Sequence, residues 1–257
     1  MRLSQGQLSL LETCPRKFQH SYLEQLGAPN STDQQERLAA GSQFHLLMQQ
    51  WEMGLSIEAF LQEDAQLRQW FHAFISAAPS IIALENNAFR QSEHLRLLEF
   101  NGHVITVVYD LLILTEAEGQ ILDWKTYPKP LRSDRIAQSW QARLYPFVLA
   151  ESSDYTPEQI SMTYWFFQAK HDRAAQSLRL PYSRAKHEET RQILDQHFTD
   201  LNRWLDRYVT NGEFFPQVPE ATEHCADCGF SIRCQRAPES QQLIKSPMVA
   251  EIKEIRL

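Results

Sequence analysis

Val107-Val108-Tyr109-Asp110-Leu111-Leu112-Ile113 and, beyond a Glu118-Gly119 turn, Ile121-Leu122-Asp123-Trp124-Lys125 are the stretches whose reading decides the fold. Both are apolar enough to be buried strands, yet both carry a carboxylate. Side chains alternate across a strand, so Asp123 and Lys125 share one face while Trp124 packs behind the sheet. A buried carboxylate without a partner is costly, so Asp110 must face a cleft, accept hydrogen bonds or bind a cation. If the two strands pair through the turn, Asp110 and Asp123 converge on one cation with Lys125 beside it. The alternative is a cross-strand salt bridge between Asp110 and Lys125.

Outward from this pair, Leu95 to Phe100 precedes it across an Asn101-Gly102 turn, which makes Leu95–Phe100, Val104–Leu114 and Ile121–Tyr127 three consecutive antiparallel strands. Upstream, apolar residues recur at helical spacing (Leu8, Leu11, Phe18; Leu38, Phe44, Leu47, Trp51; Leu67, Trp70, Phe71, Phe74), so the first 78 residues read as mainly helical, with Pro79 closing the region. Downstream, a helix over Asp134–Ala150 is expected, then strands near Ile160–Gln168 and Ala175–Leu180, then a long helix over Ser183–Tyr208. Phe214–Cys234 reads as irregular. The order of helices, meander, helix, strands and helix indicates an α/β core, mixed α+β in detail, with a helical N-terminal layer.

Composition narrows the function. The chain has 257 residues with 43% hydrophobic and 22% charged, which excludes disorder as its main state. Its longest apolar stretch, Val104–Leu114, is broken by Asp110 and is shorter than the roughly 20 residues of a membrane span, so no membrane association is expected. The opening residues lack the apolar run of a secretory signal, and a cytoplasmic location is the expectation. With 25 Lys+Arg against 32 Asp+Glu, the formal net charge of -7 argues mildly against nucleic acid. Locally the balance reverses, because Lys125, Lys129, Arg132, Arg135 and Arg143 face only Asp134, a patch that is either a solvated helix face or a phosphate-tracking surface.

All four cysteines carry one pattern. Cys225-Ala-Asp-Cys228 sets two thiolates on one turn, Cys234 follows closely, and Cys14 lies near the other end of the chain. A disulfide framework is out of place in the cytosol, whereas four soft ligands suit tetrahedral zinc or an iron–sulfur cluster, and spacing does not choose between the two. With Cys14 as the fourth ligand, binding would tie the N-terminal helix to the C-terminal tail and become folding energy. Two helices complete the constellation. Gly41-Ser42-Gln43-Phe44-His45 places a histidine one turn after a glycine that permits close approach. Gln138, Gln141 and Tyr145 form a polar stripe beside the basic patch.

Taken together, these pieces resemble the RecB-like branch of the PD-(D/E)XK nuclease superfamily, including the nuclease domain of AddB and the CRISPR-associated iron–sulfur exonucleases. Leu8 to Phe18, with Cys14-Pro15-Arg16-Lys17-Phe18, is similar to the family's opening cysteine segment. Gly41 to His45 resembles its G-x-x-x-H helix, Asp110 its second-strand acid, Asp123-Trp124-Lys125 its D-x-K core, Gln141 to Tyr145 its Q-x-x-x-Y motif, and Cys225, Cys228 and Cys234 its C-terminal triplet. The resemblance implies a restriction-endonuclease-like core sheet flanked by helices in a single nuclease domain over 1–257, with a helical part at 1–78, the core at 91–210 and a cluster-binding tail at 211–257. It implies His45, Asp110 and Asp123 as ligands of Mg²⁺ or Mn²⁺, Lys125 as catalytic, and Gln141 and Tyr145 as positioning DNA or the site. It also implies a four-iron, four-sulfur cluster on Cys14, Cys225, Cys228 and Cys234, with zinc the less favoured occupant. The family often has glycine three residues before the second-strand acid, where this chain has Val107. The function implied is a metal-dependent DNA nuclease acting on ends or single strands, in DNA repair or recombination. No G-x-x-x-x-G-K-[ST] loop occurs, so ATP-driven unwinding falls to a separate helicase chain. The rival is a non-catalytic DNA-binding scaffold that serves such a helicase, against which the full set of His45, Asp110, Asp123 and Lys125 argues. A zinc-stapled protein of unrelated function is the third reading.

Overall fold

The computed structural model describes residues 1–27, 32–82, 88–129, 133–167, 175–219, 223–226 and 228–236. It comprises two compact units, one of residues 1–8 and 30–200, the other of residues 9–29 and 201–257.

The first unit is built on a mixed sheet. Strands β1 (Arg2–Leu3), β2 (Phe89–Phe100), β3 (His103–Leu114), β4 (Gly119–Lys125), β5 (Ile160–Phe166) and β6 (Gln176–Pro181) belong to it. β2 and β3 pair antiparallel from Phe89↔Leu114 to Phe100↔His103. Their hairpin turns on Asn101 (φ 48) and Gly102 (φ 75), both left-handed, as the twist of a two-residue turn requires. β3 continues into β4 antiparallel, and Leu111↔Leu122 stops one step short of Asp110 and Asp123. The expected meander is therefore present, with its first strand six residues longer at the start than Leu95. β5 then pairs parallel with β4, after the helical crossover that a parallel connection needs, and β6 returns antiparallel. β1, which is too short to leave a periodic signal, lies parallel to β3 at Arg2↔Val104 and Leu3↔Ile105.

Trp124 packs behind the sheet as alternation demands. Leu111, Ile113, Leu122, Trp124 and Trp165 form one apolar layer with Phe44 and Leu47 of α3 (Thr32–Glu52) and Leu67, Trp70, Phe71 and Phe74 of α5 (Ala65–Ala77). Phe74 meets the rings of Trp124 and Trp165 edge-on at 5.0 and 5.4 Å. α5 begins where Asp64 accepts hydrogen bonds from the backbone N–H groups of Gln66 and Leu67. Pro79 opens the short helix Pro79–Ile82 instead of closing the region, because its ring fits the first helical turn. The helix expected over Asp134–Ala150 is divided into Ser133–Ala137 and α8 (Trp140–Glu151), with Ser139 capping α8 through the N–H of Ala142. This division leaves Gln138 in the connecting turn, outside the stripe formed by Gln141 and Tyr145.

The second unit joins α2 (Pro15–Phe18), a π-helix over Gln19–Leu23, the later part of α9 (Arg184–Asn211) and the irregular segment after it. Phe215 is its buried centre, stacked on Phe18 and flanked by Trp204 and Tyr208. Arg16 donates from its backbone to the Pro216 carbonyl and from its side chain to the Phe215 carbonyl. Among the described residues, no helix is long and apolar enough to cross a membrane.

Candidate functional site

At the end of β4 the carboxylates of the meander meet α3. Gly41 makes that approach possible, since a Cβ there would stand 3.3 Å from Thr126 Oγ1. One turn later the His45 ring reaches the sheet. Its Nε2 lies 3.1 Å from the Trp124 carbonyl oxygen, and its Nδ1 lies 3.4 Å from Asp110 Oδ1 and 3.9 Å from Glu93 Oε1. His45, Glu93 and Asp110 each offer a donor atom within 4.8 Å of the other two, the spacing at which one cation can gather all three. The second oxygen of Asp110 accepts a 2.7 Å hydrogen bond from the Trp124 N–H, which holds the carboxylate in place.

Asp123 and Lys125 sit on the opposite sheet face from Trp124. Lys125 Nζ lies 2.6 Å from Asp123 Oδ1, donates to Gln141 Oε1 at 3.0 Å and stands 5.5 Å from the centre of the Tyr164 ring. Gln141 closes the triangle by donating to Asp123 Oδ2 at 2.5 Å. The cross-strand salt bridge between Asp110 and Lys125 does not form; Asp123 takes the lysine and Asp110 takes the Trp124 N–H and His45. Asp123 Oδ1 is fully buried against the Lys125 ammonium. Tyr145 is buried on the same helix as Gln141, its ring against Tyr109 at 5.4 Å.

Electrostatics bear out the crowding. Burial, then the neighbouring Asp110 charge, push the Asp123 carboxyl up to about 7 against the pull of Lys125 and His45. His45 goes the other way from what burial favours, and its hydrogen bonds to Asp110 and Glu93 raise it to about 10. Burial opposes the charge on Lys125 as well, but Asp123 holds it above the usual lysine range. Burial and the Asp123 charge raise the Tyr145 phenol, which remains protonated. A protonated His45 thus stands where a divalent cation would neutralise the same carboxylates, and this donor set of one imidazole and hard oxygens fits Mg²⁺ or Mn²⁺.

Glu93 is the member that the sequence does not announce. It lies in the polar run Gln91-Ser92-Glu93-His94, before the expected start of its strand. Its backbone has φ 48, a left-handed conformation that a non-glycine residue holds only under constraint. The β2–β3 register sets it opposite Asp110, between the pairs Ser92↔Leu111 and His94↔Tyr109.

The four cysteines come together in the second unit, around a cavity of about 80 Å³ also lined by Lys17, His224 and Arg236. All are free thiols. Burial pushes the Cys234 thiol up, and the three other cysteines push it further while Arg16 opposes them. Four converging sulfurs that repel one another as thiolates, with cationic side chains close by, fit a metal centre. Of the basic patch, Arg135 is exposed, Lys129 donates to the Ser177 carbonyl at 2.9 Å, and Arg132 lies outside the described residues.

Comparison with known proteins gives the family and the fold. The model of the PD-(D/E)XK nuclease superfamily matches residues 2–235. A candidate exonuclease from Eubacterium rectale has a crystal structure that aligns with a TM-score of 0.53 and 14% identity, over 87% of this chain and 86% of its own. The structure of SSO0001 aligns with a TM-score of 0.33 and 14% identity, over 77% of this chain and 75% of its own, a score too low to carry an argument. No curated protein matches the chain in sequence.

Proposed function

Because the chain belongs to the PD-(D/E)XK nuclease superfamily and is a nuclease on that ground, we propose that it is a divalent-metal-dependent deoxyribonuclease acting at ends or on single strands. The observation that carries this reading is the convergence of His45, Glu93 and Asp110 on one cation-sized space beside the Asp123–Lys125–Gln141 triangle. His45, Glu93, Asp110 and Asp123 would hold Mg²⁺ or Mn²⁺. Such an ion supplies positive charge against the scissile phosphate and makes water acidic enough to attack it. Lys125, kept charged by Asp123, donates to the negative charge that develops on the phosphoryl oxygens. Gln141 fixes the lysine and the carboxylate relative to each other, and Tyr145 supports Gln141's helix from within the core. The E. rectale structure, described as that of a candidate exonuclease, is consistent with end-directed cleavage.

The cysteine site is read as holding a four-iron, four-sulfur cluster. Its support is that all four thiols line one cavity of about 80 Å³. The reading includes a single nuclease domain whose cluster-binding part draws on both chain ends, a cytoplasmic role in DNA repair or recombination, and a helicase on a separate chain.

The test is cleavage of end-labelled single- and double-stranded DNA with Mn²⁺. The parent protein should degrade it, and Asp123→Ala and Lys125→Ala should each lose activity while keeping DNA binding in Ca²⁺. Full activity in Asp123→Ala would overturn the assignment.

A further inference from the structure

The second unit contains a buried imidazole that the cluster reading does not use. His20 is 1% exposed and lies on the π-helix, whose wide turn is closed by the bond from the Glu24 N–H to the Gln19 carbonyl at 3.0 Å. Turns of this kind shift side chains off the ordinary helical register and recur at functional sites. His20 Nδ1 is 2.8 Å from Glu24 Oε2. Glu24 is held in turn by the Gln19 side-chain amide at 2.6 Å and by Arg233 at 3.2 Å. Gln19 is anchored by accepting the Phe215 N–H at 2.7 Å.

This chain of contacts sets the tautomer. An ionised carboxylate only accepts, so the proton that His20 gives Glu24 sits on Nδ1, and Nε2 is the ring nitrogen left to bind a metal. That nitrogen is on the side of Cys234, with Nε2 at 3.8 Å from Sγ, while the Phe230 ring packs against the imidazole at 5.2 Å. Each iron of a four-iron, four-sulfur cluster takes one protein donor, and at 3.8 Å from Cys234 Sγ the Nε2 stands next to that donor as its alternative. A carboxylate behind the far nitrogen is also the arrangement that orients metal-binding histidines. The His20–Glu24 pair has both features.

We propose that His20 is a fifth donor of the cysteine site, competent to ligate through Nε2 the iron that Cys234 otherwise holds. The proposal rests on the iron–sulfur reading of that site. It gives the centre a nitrogen-ligated form alongside the all-thiolate one. Because a neutral imidazole then replaces a thiolate, the nitrogen-ligated form has the higher reduction potential.

The experiment compares the parent, Cys14→Ala, Cys234→Ala, His20→Ala and Cys234→Ala/His20→Ala, each reconstituted anaerobically with iron and sulfide and checked for folding by circular dichroism. Iron and sulfide content, reduction potential and pulsed EPR of the reduced protein are the readouts. Cys234→Ala should keep the parent's iron content, show a ¹⁴N coupling from a directly bound nitrogen that the parent lacks, and have a more positive potential. The double variant should lose both cluster and coupling and recover them with added imidazole, while Cys14→Ala should show no such coupling. His20→Gln replaces the alanine if the smaller side chain unfolds the unit. Cys234→Ala without nitrogen coupling, or the same coupling in the double variant, overturns the proposal. Absence of iron and sulfide from the parent overturns the cluster reading instead. In that case the variants are loaded with Co²⁺, which Cys234→Ala should bind at least about tenfold more tightly than the double variant. Equal affinities would then overturn the fifth-donor proposal.

Discussion

At the proposed metal site, His45 and Asp123 both hold protons that a divalent cation would have to displace. His45 is raised to about 10 by Asp110 and Glu93 despite its burial, so its contribution to the metal-free fold is complete below about 6.5 and is lost as pH rises through about 10. Asp123 is raised to about 7 by burial and by Asp110, so its contribution is complete below about 3.8 and is lost as pH rises through about 7. Mn²⁺ affinity measured by calorimetry should therefore rise about tenfold per pH unit between 7.5 and 9.5, and about a hundredfold per unit just below 7. Asp123→Asn should reduce the steeper window to tenfold and abolish cleavage. In the metal-free state at pH 8 it should raise Tm by about 2 °C, because a buried charge is gone. Glu93 separates strain from ligation. Glu93→Gly should relieve a left-handed backbone worth about 1 kcal/mol while weakening Mn²⁺ binding about tenfold, whereas Glu93→Gln should weaken binding without the gain in denaturant stability. The contrast explains what was legible. Asp110 and Asp123 stand out because a lone charge in an apolar strand demands a reason, and Lys125 follows by alternation. Glu93 lies among polar neighbours, where one more acid has no contrast, and only the register of β2 against β3 brings it to the site.

At the scale of elements, the site depends on where α8 starts. Gln141 is its second residue, and Ser139 fixes the first turn by accepting from the Ala142 N–H. Ser139→Ala should cost about 1 kcal/mol in chemical denaturation and lower kcat by loosening Gln141, while Ser139→Asp should retain both. The break between Ala137 and Trp140 is hidden in the sequence because helix-compatible residues run straight through it, and the cap that starts the second helix looks like any exposed serine. The β2–β3 hairpin was legible for the opposite reason, since Asn101-Gly102 admits few backbone conformations. The parallel pairing of β4 with β5 follows from the helix between them, although no local pattern in either strand distinguishes it from another antiparallel turn. The π-helix at Gln19–Leu23 is equally silent, as its residues carry the periodicity of an ordinary helix.

For the whole molecule, a net charge of -7 must coexist with a polyanionic substrate. Arg135 is fully available to phosphate, while Lys129 shares its charge with the Ser177 carbonyl. On single-stranded DNA with Ca²⁺ in place of the active metal, Arg135→Ala should lower the salt slope of log K by about 0.7, with no change in sequence preference. An unchanged slope would send the substrate path elsewhere. The second unit has another consequence, in time. Its cysteines are Cys14 and a triplet ending at Cys234, so during synthesis the first must wait for 220 further residues. At ribosomal rates of about 5–20 residues per second the delay is roughly 10 to 45 s. A thiol left unpaired for that long meets oxidants and stray metal before its partners exist. On the iron–sulfur reading the order of assembly is therefore set by the chain itself: a cluster held by all four cysteines can be completed only after Cys234 has left the ribosome, whereas the residues of the sheet unit, which end at Asp200, are all made before it.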